Sequence, residues 1–173
     1  MKRILVVVDF QNDFVTGSLG FPGALELDAR IAEKIDKRRK DGWEIVFTFD
    51  THGKNYSSTQ EGKKLPVPHC IRGTKGWELY GRVAASRRDS DMKFEKNAFG
   101  SMELAGYLTK NGYDEVELVG LVSNICVVSN AILAKAALPE AEVVVDSSCT
   151  SCADVEANRE ALNVMKGLQI TVV

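Results

Sequence analysis

The chain's 173 residues suffice for one domain, 1–173, that buries about 70% of its unfolded surface. With 45% hydrophobic and 27% charged residues it fits no collagen-like, disordered or low-complexity class. Its 22 Lys and Arg against 24 Asp and Glu leave a net charge of −2, which argues against a protein built to grip nucleic-acid phosphates. The total hides an imbalance. Thr51 to Arg88 holds eight Lys/Arg and two Asp/Glu, a local +6 against −8 elsewhere.

Met1-Lys2-Arg3 leads into the β-branched run Ile4 to Val8, the mark of a strand buried on both faces. The run stops at Asp9 after five residues, too short for a signal-peptide core or a membrane span. The four cysteines, Cys70, Cys126, Cys149 and Cys152, then read as reduced thiols of a cytoplasmic protein with no membrane partner. Ala24 to Arg39 has helical spacing, with Leu27, Ile31 and Ile35 on one face. Trp43 to Phe49 repeats the strand pattern, and a short strand is expected around Asp91-Met92. Met102 to Lys110 reads as a helix, Val116 to Val119 as a strand, and Cys126 to Ala137 as a helix. Glu142 to Val145, Asp154 to Lys166 and Gln169 to Val173 close the chain as strand, helix and strand. Alternation of this kind predicts an α/β domain with a mainly parallel sheet and helices on both faces.

Ligands of such sheets gather beyond the carboxyl ends of the strands. Asp9 ends the first strand, Asp50 with His52 the second, and Asp146-Ser147 the fifth. Lys93 follows the short third strand, and Gly120 to Cys126 follows the fourth. Cys126 at a helix start sees the positive end of the dipole, which favours thiolate, and unpaired N–H groups there can hold an oxyanion. Alone it reads equally as a small buried hydrophobe. A strand-end Asp9 needs a partner, and Lys93 can provide a simple ion pair. With the thiol added, the three form a candidate triad in which Asp9 is the base.

Asp50-x-His52, His69 seventeen residues on and Glu61 between them offer ligands suited to zinc, iron or manganese. Solvated loop histidines are the plain alternative. Cys149-x-x-Cys152 precedes a helix but lacks the Trp and Gly-Pro of a redox pair, and reads as two ordinary thiols.

Several blocks together resemble the isochorismatase-like cysteine hydrolases, which include nicotinamidases. They are Val6 to Phe14, Thr48 to His52, Pro68 to Thr74, Lys93 six residues before Phe99, and Gly120 to Val127. The resemblance implies a three-layer Rossmann-like fold with a six-stranded parallel sheet, a homo-oligomer, and a catalytic triad at Asp9, Lys93 and Cys126. It further implies a cis peptide at Leu121–Val122, an oxyanion hole from the Val122 and Cys126 amides, and a divalent metal, zinc first, on Asp50, His52, Glu61 and His69. The implied reaction is hydrolysis of a small amide, nicotinamide to nicotinic acid and ammonia first, through a thioester. Another small carbamoyl or ureido substrate is the alternative, and a non-catalytic binding protein of the same fold a second. Departures from nicotinamidases fall at Tyr56, where many have histidine, at Leu65 to Pro68, where they carry Trp, and at Ile125, where Tyr is common. Phe14, Leu65 and Ile125 are the expected walls of the substrate pocket.

Overall fold

The computed structural model describes all 173 residues. Six strands form one parallel sheet in the order β3-β2-β1-β4-β5-β6. They are β1 (Arg3–Val8), β2 (Glu44–Asp50), β3 (Met92–Lys96), β4 (Glu115–Leu121), β5 (Glu142–Ser151) and β6 (Thr171–Val172). The order reverses between β1 and β4, so their carboxyl ends open on the crevice where such sheets bind ligands.

The unbroken apolar run of β1 has a direct cause. Ile4, Val6 and Val8 enter one core, while Leu5 and Val7 enter the other on the opposite face. The first core is covered by α6 (Met102–Asn111), α7 (Val128–Ala137) and α8 (Val155–Gly167), through Leu104, Leu108, Ala131 and Met165. The second receives Leu27, Ile31 and Ile35 of α3 (Leu27–Lys40), the residues expected from helical spacing. Two short helices precede α3, α1 (Asn12–Val15) and α2 (Pro22–Leu25), so the helix expected from Ala24 is broken at Glu26.

Other expectations also shift. The basic segment from Thr51 to Arg88 carries helices of its own. It contains α4 (Gln60–Lys64), capped by the Thr59 hydroxyl accepting from the Gly62 amide, and α5 (Gly81–Ser86). Single-residue bridges, Gln11 with Leu79 and His52 with Ile71, tie it to the sheet. Asp146 does not end β5, which runs on to Ser151; its carboxylate instead pairs with Lys34. Lys34 also reaches the buried Glu117 of β4 at 2.7 Å, and Arg38 joins at 2.5 Å. This charged cluster between α3 and the sheet has no apolar signature in the sequence. No helix is long and apolar enough to cross a membrane.

Gly120 lies where β4 passes the end of β1. Its φ is +115°, and a Cβ there would stand 2.0 Å from the Val8 carbonyl oxygen. Both terms act against any side chain at this position. Gly120→Ala is expected to destabilise the fold by more than about 1 kcal/mol in chemical denaturation, with Gly106→Ala, which meets nothing within 4 Å, as the harmless control.

Candidate active site and metal centre

Asp9 leaves the end of β1 with φ +43°, a left-handed conformation that a non-glycine residue rarely adopts. It is fully buried, and its two carboxylate oxygens have separate partners. The Thr48 hydroxyl donates to Oδ1 at 2.6 Å, and Lys96 Nζ lies 2.6 Å from Oδ2. Lys96 donates further to the Ala98 carbonyl at 3.0 Å and to Cys126 Sγ at 3.6 Å. Its ammonium thus faces a carboxylate, a carbonyl and a thiol.

The lysine is therefore Lys96 and not the expected Lys93. The third strand runs from Met92 to Lys96, and Lys96 stands in register with Asp50 at the carboxyl end. Lys93 lies three residues earlier, on the other face, 2.8 Å from Glu95 and over the Trp77 ring. The strand extends four residues beyond Met92, so Lys96 and not Lys93 is its terminal residue. Alternation from the buried Phe94 would have pointed inward to Lys96.

Cys126 is buried in a π-turn, Ser123–Val127, that precedes α7. The Leu121–Val122 peptide is cis, as the resemblance implied. The Val122 carbonyl accepts from the Ile125 and Val127 amides, folding the chain back around the thiol. Buried Asn130, a residue the motifs did not single out, donates to the Cys126 and Phe99 carbonyls and accepts from the Ser101 amide. It joins the cysteine turn to the loop that follows Lys96. A side chain with both donors and an acceptor in such a place is the signal that could have found it.

Electrostatics differ from the expectation of a ready thiolate. Burial pushes the Cys126 thiol well up and the charge of Asp9 adds to the shift, with Lys96 opposing. The helix-start position does not overcome this. Burial also raises the Asp9 carboxyl, outweighing the attraction of Lys96. Lys96 is held firmly charged, because Asp9 and its neighbours outweigh the cost of burying the ammonium.

The second cluster adjoins the first. Asp50, His52 and His69 are buried, with ligand atoms all within 4.8 Å of one another. Asp50 Oδ2 lies 3.0 Å from His52 Nε2 and 3.2 Å from His69 Nε2. Glu61 Oε1 approaches the same two nitrogens at 3.7 and 3.5 Å. Burial works against the ionised form of Asp50, but the two histidines and Lys96 hold its carboxyl below the usual range. His69 Nδ1 faces the Val67 carbonyl at 2.8 Å, which in the neutral ring fixes the proton there and leaves a lone pair on Nε2. Nitrogen lone pairs and carboxylates converging on one point are a donor set for a divalent cation.

Gln11 holds this cluster from behind. Its side chain donates to the Asp50 carbonyl at 2.9 Å and accepts from the Asp50 amide at 2.8 Å. Tyr56 packs edge-on against both imidazoles, 4.8 and 5.0 Å between centroids, and donates to the Leu65 carbonyl. Burial and the charge of Glu61 push its hydroxyl up to about 12. A cavity of about 730 Å³ opens beside the two clusters, lined by His52, Glu61, Leu65, Phe99 and Ile125 among others. Phe14 does not line it; the ring is buried against His69 at 5.6 Å.

The isochorismatase domain model matches residues 3–173, nearly the whole chain. The chain belongs to the isochorismatase family. Within it, the nicotinamidase/pyrazinamidase of Mycobacterium tuberculosis is 30% identical over 141 residues, 72% of this chain and 74% of that protein. The structure of nicotinamidase/pyrazinamidase PncA from Bacillus subtilis superimposes with a TM-score of 0.88 at 26% identity, covering all of both chains. That of the Pyrococcus horikoshii pyrazinamidase in complex with zinc gives 0.87 at 28% identity, over 100% of this chain and 99% of the other. The six-stranded isochorismatase-like fold is thus shared over the full length.

Added zinc is expected to stabilise chelator-treated protein by about 2.7 kcal/mol at a hundredfold excess over Kd, several degrees in Tm. His52→Ala or His69→Ala should cancel the rise in a thermal melt.

Proposed function

We propose that the protein is a cysteine-dependent amidohydrolase that converts a small primary amide to its acid and ammonia, with nicotinamide the first substrate to test. The observation that carries this reading is one buried lysine joining Asp9 at 2.6 Å and Cys126 at 3.6 Å, next to a cavity lined by the neighbouring Asn97, Ala98 and Ile125. Relatives named nicotinamidase support a hydrolase acting on C–N bonds outside peptides.

In this mechanism Asp9 accepts the thiol proton as Sγ forms a bond to the amide carbon. The coupling follows from electrostatics, since a buried thiol beside a carboxylate gives up its proton only as the attack proceeds. The Val122 and Cys126 N–H groups receive the oxyanion, and Lys96 balances the negative charge passing between Asp9 and sulfur. Collapse breaks the C–N bond, and Asp9 returns the proton to the nitrogen, which leaves as ammonia. Water then gives a proton to Asp9 while its oxygen attacks the thioester. The C–S bond breaks, the sulfur recovers the proton, and the acid departs. The sum is amide plus water to acid plus ammonia.

Asp50, His52, His69 and Glu61 would hold a divalent cation, zinc by preference for imidazole and carboxylate ligands. Bound there, it supplies a Lewis-acid contact that orients a donor atom of the substrate. Leu65 and Ile125 give the cavity two aliphatic walls and Phe99 an aromatic one. Small carbamoyl or ureido compounds are the second substrate class to test beside nicotinamide.

Cys126→Ala and Lys96→Ala are each expected to lower ammonia release by roughly a thousandfold or more, while Lys93→Ala keeps kcat/KM near the parent value. Full activity in Cys126→Ala overturns the assignment. The pH dependence has a definite sign. Asp9 serves as base only when ionised and burial raises its carboxyl, so kcat/KM falls on acidification with a midpoint above the ordinary carboxylate value of about 4. Thr48→Val removes the hydrogen bond that favours the ionised form and should move that midpoint up by roughly one pH unit.

A further inference from the structure

The cavity beside the triad is larger than the reacting amide needs. At about 730 Å³ it lies in the range that encloses a molecule of drug size, and nicotinamide would leave much of it empty. Beyond the aliphatic wall its lining turns polar, with Asn55, Gln60 and Asn97. Among all the lining residues one carboxylate and one fixed cation occur, Glu61 and Lys64.

Both stand on α4, three residues apart and hence on one face, about one turn along the axis. Their situations differ. Glu61 is turned to the two histidines, whereas Lys64 forms no ion pair. The helix bearing them is fixed at both ends, by the Thr59 cap and by the Tyr56 hydroxyl on the Leu65 carbonyl at 2.9 Å. Lys64 also lies in the stretch whose charge is +6 against the −8 of the remaining chain. A lone cation on a held helix, facing a cavity and left without an acid of the protein, is suited to an acid of the ligand.

We propose that Lys64 receives a carboxylate at the far end of the substrate, so that the preferred substrates are small amides with an acidic tail. This rests on the amidohydrolase reading. It adds a second recognition point, one helical turn from the metal-type cluster, that a neutral amide leaves unused.

The test compares short ω-amido carboxylic acids with their methyl esters, by ammonia release from the full chain loaded with zinc. At low salt the acids should exceed the esters in kcat/KM by about fivefold or more, and the ratio should shrink as salt screens the pair. Lys64→Ala should bring the ratio near one and Lys64→Glu should invert it. Lys63→Ala, whose side chain does not line the cavity, should keep the parent ratio. A parent ratio near one, or a preference that survives Lys64→Ala, overturns the assignment of Lys64. If esters and nicotinamide are hydrolysed without favour to acids, Lys64 alone is misassigned. If no amide releases ammonia, the amidohydrolase reading falls and this one falls with it.

Discussion

The buried ion pair between Asp9 and Lys96 is the constraint around which the site is arranged. Two opposite charges 2.6 Å apart with no exposure are tolerable only together; removing one partner of such a pair costs about 3–5 kcal/mol. The surroundings show how the remaining valences are met. Thr48 donates to one oxygen of Asp9, and Lys96 donates to the Ala98 carbonyl and the Cys126 sulfur. The site therefore brings together a carboxyl and a thiol that burial raises and an ammonium that its neighbours hold charged.

The two clusters are mechanically one. Asp9 and Gln11 are separated by one residue, and Gln11 clamps the backbone of Asp50 by a reciprocal pair of amide hydrogen bonds. Lys96 Nζ lies 3.7 Å from Asp50 Oδ1, so the cation of the triad also faces a carboxylate of the metal-type cluster. The strand-end segments of β1, β2 and β3 carry all of these groups side by side. Parallel pairing in register, Val8 with Thr48 and Asp50 with Lys96, brings distant sequence positions to one level.

Much of this was legible in the chain itself. Apolar runs located the strands because parallel strands are covered on both faces, and the residues that interrupt those runs, Asp9 and Asp50, stand at the site. The metal-type cluster was readable because both histidines of the protein fall in one segment with the acids around them. Elsewhere the signal was weak for physical reasons. In Met-Lys-Phe-Glu-Lys three of five residues are polar, so the strand end is set by pairing with β2 and not by hydropathy, and Lys93 and Lys96 look alike in the sequence. Glu117 and Asn130 lie inside apolar stretches, and their importance comes from partners 79 to 83 and 29 to 31 residues away. The thiol's environment is not legible in the sequence, because burial outweighs the helix dipole and burial is a property of the assembled fold.

The position of β3 has one more consequence. It is the outermost strand of its side, paired to β2 alone, yet it delivers the central cation of the site. Edge strands open locally at lower free energy than the strands they flank. An excursion that peels β3 away would withdraw Lys96 while β1, β4 and the thiol stayed folded. The buried pair of Asp9 with Lys96 is thus tied to the least secured strand on its side of the sheet, and it would be lost before the domain is.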